Sequence, residues 1–81
     1  MLKPAYPEKL SDVDAQLLDA GQWRLVNSKL DRADAASVLG FVQQVGSVFE
    51  VLELARPGGA TRVQSLREAR ALLVGPRHGH E

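Results

Sequence analysis

The residues best equipped for chemistry stand at the end of the chain. His78 and His80 flank Gly79 with Glu81 beside them, and an H-x-H pair of this kind offers two imidazoles to a metal ion. A metal centre needs further ligands held at fixed geometry, and no third ligand is placed by the spacing. The pair therefore reads as a solvated tail, and no metal or other cofactor is expected. Histidine occurs nowhere else, so Ser-His and Asp-His catalysis lack a base on an ordered element. The chain has no cysteine, which removes thiolate nucleophiles, disulfides and cysteine metal sites together. Gly58-Gly59 is too short to cradle a phosphate, and it precedes a strand where phosphate loops precede a helix.

The carboxylates offer little more. Asp12, Asp14 and Asp19 alternate with an apolar stripe and should face water. Glu50 and Glu53 sit in a strand on opposite faces, and a cross-strand ion pair with Arg24 or Arg62 is the simplest arrangement for them. No catalytic residue is expected, and the chain is read as a non-enzyme.

Ten basic and ten acidic residues cancel, which argues against the large electrostatic term of non-specific nucleic-acid binding. The cancellation hides an asymmetry. Glu8, Asp12, Asp14 and Asp19 against Lys9 give −3 near the start, whereas Arg56, Arg62, Arg67 and Arg70 against Glu68 give +3 near the end. Arg62, Arg67 and Arg70 are accordingly the candidate partner-binding stripe, with Arg67 and Arg70 pointing out from their helix. Trp23 is expected in the core beneath the sheet, with a surface anchor for a protein partner as its alternative.

These side chains need a scaffold, and 81 residues suffice for one domain that is 44% hydrophobic and 25% charged. Residues 1–7 read as an extended arm, 8–75 as a single α+β domain and 76–81 as a disordered tail. Leu10, Val13, Leu17 and Ala20 recur at helical spacing, with Ser11 as cap and Gly21 as stop, and predict an N-terminal helix. Gln22–Asn27 predicts a first strand, Ser28–Ser37 a loop with one helical turn, and Val38–Val45 with Val48–Leu54 a hairpin closed by Gly46-Ser47. Both hairpin strands carry apolar residues on both faces, which predicts a bulge or a doubly covered sheet, and Gly40 marks a bulge or a close backbone approach. Arg56-Pro57-Gly58-Gly59 predicts a turn, and Ala60–Gln64 a short strand. Ser65 and Glu68 form a capping box for a C-terminal helix ended by Gly75-Pro76. The expected fold is a small antiparallel sheet of three to four strands between an N-terminal and a C-terminal helix.

Trp23-Arg24-Leu25-Val26, Leu39-Gly40-Phe41-Val42, Phe49-Glu50-Val51-Leu52 and Ser65-Leu66-Arg67-Glu68-Ala69 together resemble small uncharacterised α+β proteins of actinobacteria, over residues 22–73. The strand-strand-strand-helix order also resembles the AP2-like arm-binding domain of phage-type integrases, whose sheet enters a DNA groove. That resemblance implies a basic exposed sheet face. Here the hairpin offers Gln43, Gln44, Glu50 and Glu53 and no basic residue between Val38 and Ala55, so no contact residue carries over.

The functional expectation is a non-enzymatic interaction module or accessory subunit that binds a protein partner or a second copy, with weak nucleic-acid binding as the alternative. No apolar run approaches the roughly 20 residues of a membrane span. A cytoplasmic location without membrane contact is expected.

Overall fold

The computed structural model describes residues 6–55 and 58–74. Five strands make one sheet: β1 (Val13–Asp19), β2 (Gln22–Asn27), β3 (Val38–Val45), β4 (Val48–Glu53) and β5 (Thr61–Val63). One helix follows, α1 (Leu66–Leu72). The strands lie side by side in chain order and every neighbouring pair is antiparallel, so β1 and β5 are the two edges. Among the described residues no helix is long and apolar enough to cross a membrane.

The α+β class is as expected, but its N-terminal element is not. The stretch predicted as a helix holds only a 3-10 turn, Leu10–Asp12, and then strand β1. Val13-Asp14-Ala15-Gln16-Leu17 alternates apolar and polar residues as cleanly as it matches helical spacing. Pairing decides between the two readings: Val13, Ala15 and Leu17 lie opposite Asn27, Leu25 and Trp23, which lets β2 bury its apolar row beside a second strand. Gly21 adopts φ 72° in the β1–β2 turn instead of stopping a helix. The sheet therefore has five strands rather than three or four, and Gln22–Asn27 is its second strand rather than its first.

The rest follows local chemistry closely. A two-residue Gly46-Ser47 turn closes the β3–β4 hairpin at the Val45–Val48 pair. The loop after β2 holds one 3-10 turn, Ala35–Ser37, capped by Asp34, whose carboxylate accepts from the Ala36 amide at 2.9 Å. Ser65 caps α1 by accepting from the Glu68 amide at 3.1 Å, and the Glu68 carboxylate accepts from the Gln64 amide at 2.8 Å. The predicted Arg56-Pro57 half of the turn, the Gly75-Pro76 stop and the 76–81 tail lie outside the described residues.

The register of β2 on β3 slips between Leu25 and Val26, and Leu39 is the extra residue. This bulge breaks the alternation, so that Leu39 turns fully inward on the same side as Gly40, which lies opposite core residue Leu25. Gly40 beside it sits under the β4 backbone: a Cβ there would collide with the Leu52 carbonyl oxygen and lie 3.3 Å from the Glu53 Cα.

The core lies on one side of the sheet. Val13, Leu25, Leu39, Val42 and Val51 meet Ala69 and Leu73, with Trp23, Phe49 and Leu66 packed around them. Helix α1 packs against β1, β4 and β5, although a seven-residue helix is only about 10 Å long. In a flat sheet β1 and β5 would stand about 19 Å apart, four strand spacings of about 4.8 Å. The sheet must therefore curl around the helix, and its edges turn towards the same side.

Candidate interaction surface

Strand alternation places a second set of side chains on the side away from α1. The cross-strand pairs arrange them in rows: Gln16, Arg24, Phe41 and Leu52 form one, and Asp19, Gln22, Gln43, Glu50 and Arg62 the next. Beyond this polar second row stands Val45 opposite Val48. The loop after β2 lies against one end of this side, where Val26 is buried, and among the described residues no helix lies over Phe41 and Leu52. Phe41 is 37% exposed, Leu52 44%, Val45 42% and Leu18 49%, which is a concentration of large apolar side chains uncommon for a surface that meets only water. Leu18, Gln22, Phe41, Gln43, Glu50 and Leu52 line a shallow groove of about 360 Å³ across it.

The polar side chains frame this strip without giving it a strong sign. Arg24 Nε donates to Gln16 Oε1 at 3.1 Å, so its guanidinium is held along the sheet. Arg62 Nε reaches Glu50 Oε2 at 3.3 Å, the cross-strand ion pair expected for Glu50. Glu53 lies on the helix side instead, opposite Gly40, and is buried. On the strands Asp14, Asp19 and Glu50 stand against Arg24 and Arg62, and Arg32 of the loop after β2 lines the same side near Asp14 and Arg24, so the charges come close to cancelling.

The four residues anticipated as partner contacts do not come together. Arg62 lies on the open side of β5, and Arg67 is exposed on α1. Arg70 does not point outward with it: Arg70 Nε donates to the Val13 carbonyl at 2.9 Å and Nη2 to the Leu10 carbonyl at 3.2 Å. Curling of the sheet brings the start of β1 under the last turn of α1, and the long side chain spans that gap. Trp23 is half-buried on the helix side and meets Phe49 edge-on, with ring centroids 5.7 Å apart and planes at 60°. It is a core residue, as its strand position implied.

The residues that do form a shared surface, Leu18, Phe41 and Leu52, were not singled out from the sequence. Their signal was the apolar character of both faces of β3 and β4. Covering by two helices would have absorbed it; with one helix, it marks the side left open. The His78 and His80 pair lies outside the described residues. No protein-family model, curated protein or solved structure matches this chain.

Proposed function

We propose that this chain is a small non-enzymatic protein-interaction module, an accessory subunit of a larger assembly, and that it docks its partner on the open side of the sheet. The observation that carries this reading is the grouping of exposed Leu18, Phe41 and Leu52 along one groove, on a part of the sheet that no described element covers. Sheets are ordinarily layered on both faces or made polar on the free one. This face is polar over much of its area but leaves Phe41, Leu52 and Leu18 together and uncovered, and a partner surface would supply the missing layer there.

The alternative, a weak nucleic-acid binder, needs phosphate-neutralising side chains on the exposed sheet. The strands of the open side have two arginines, each engaged with a neighbouring side chain, and three carboxylates, and the loop after β2 adds Arg32. A protein surface suits that balance better.

The test compares wild type with a Phe41→Ser, Leu52→Ser double variant in capture experiments from the cells that make the protein. The expected result is a partner protein retained at high salt by wild type and lost by the variant, with both chains melting at the same temperature. Sedimentation of the purified chain shows whether that partner is a second copy. Equal capture by both chains, or retention of nucleic acid that falls steeply with salt, overturns the reading.

A further inference from the structure

A second surface carries an inference of its own, at the free edge of β1. The Ser28 amide donates to the Asp12 carbonyl at 2.8 Å, so the even-numbered residues here turn their backbone groups towards β2. Val13, the next residue, turns its carbonyl the other way, where Arg70 Nε takes it. In an antiparallel ladder this alternation continues, so the N–H and C=O groups of Ala15 and Leu17 point outward from the sheet. No described strand pairs with them. Leu17 stands at this edge 66% exposed on the helix side, and Leu18 stands 49% exposed on the open side, so an apolar side chain borders the edge on each face.

The charge carried by β1 itself is of one sign. Asp12, Asp14 and Asp19 lie on or beside β1, which has no basic side chain of its own. That composition repels a second copy of the same strand and attracts a basic one. The Arg70 guanidinium closes off the Val13 end, and the register shift at Leu18 limits the other.

We infer that the free edge of β1 is a strand-addition site for an extended basic peptide segment of a partner protein, which pairs antiparallel with Ala15 to Leu17. The backbone of the segment takes the outward N–H and C=O groups, its alternate apolar side chains rest beside Leu17 and Leu18, and its Lys or Arg residues meet Asp14 and Asp19. Leu18 is shared with the open-side groove, but the backbone pairing does not depend on Phe41 or Leu52.

The test follows backbone amides of the full chain by NMR while an acetylated, amidated Lys-Val-Thr-Val-Thr-Lys peptide is added, with Glu-Val-Thr-Val-Thr-Glu as its charge-reversed counterpart. The basic peptide should shift the Ala15 and Leu17 amides and, at saturation, slow their hydrogen exchange by about tenfold or more. The effect should weaken with salt. Leu17→Lys, at a position open to solvent, should abolish it by placing a cation on the edge. Ala15→Pro should do so by removing an outward donor that the β1–β2 ladder does not use. The Phe41→Ser, Leu52→Ser variant should bind the peptide like wild type. An equal response to the acidic peptide, exchange at Ala15 and Leu17 already slow before peptide is added, or unchanged binding by Leu17→Lys overturns the assignment.

Discussion

Arg70 Nε donates a hydrogen bond to the Val13 carbonyl across 57 residues of chain, and its Nη2 reaches Leu10 three positions earlier. One side chain thereby joins the last turn of α1 to the beginning of β1. Arg70→Ala should destabilise the fold by about 1 to 2 kcal/mol, because hydrogen bonds from a charged donor are lost at a half-buried position. Arg67→Ala, one helical turn back and exposed, should change stability by less than about 0.5 kcal/mol. Urea unfolding of the two variants checks this, and equal effects would remove Arg70 as a tie between helix and edge.

Gly40 and Gly46 should respond differently to the same substitution. A methyl at Gly40 meets the β4 backbone, which cannot move without breaking the hairpin ladder, so Gly40→Ala should cost about 3 kcal/mol. Gly46 has open space around it and φ 63°, so Gly46→Ala should cost about 1 to 2 kcal/mol from backbone strain alone. Denaturation midpoints in the reverse order would mean that the close approach of β3 to β4 at Gly40 is relieved in solution.

Trp23 and Phe49 should be coupled. Trp23→Ala is expected to cost about 2 to 4 kcal/mol, less than a fully buried tryptophan, because the ring is only half-covered. A double-mutant cycle with Phe49→Ala should return about 0.5 to 1.5 kcal/mol of interaction for the edge-to-face pair. Additive losses in the cycle would show that each ring packs independently against the core.

Much of this fold is local chemistry and was legible as such. Gly46-Ser47 between β-rich runs specifies the β3–β4 hairpin, and Ser65 with Glu68 specifies where α1 begins, because the interactions involved span only a few residues. The glycine at position 40 announced its bulge for the same reason: no side chain fits there. What the sequence left open was decided by partners distant along the chain. Residues 13–19 satisfy both a helical and a strand period, and only the presence of β2 opposite Leu17, Ala15 and Val13 selects the strand. An isolated helix of that length would be marginal, whereas each β residue gains a cross-strand neighbour. Arg70 counted as an outward cation while its helix was considered alone, and became a structural tie once curling placed two carbonyls of the β1 segment within its reach. The candidate surface belongs to the same class: Phe41 and Leu52 lie opposite each other in adjacent strands, and their exposure depends on which side of the sheet a seven-residue helix covers, a choice made by tertiary packing because so short a helix can bury only one face.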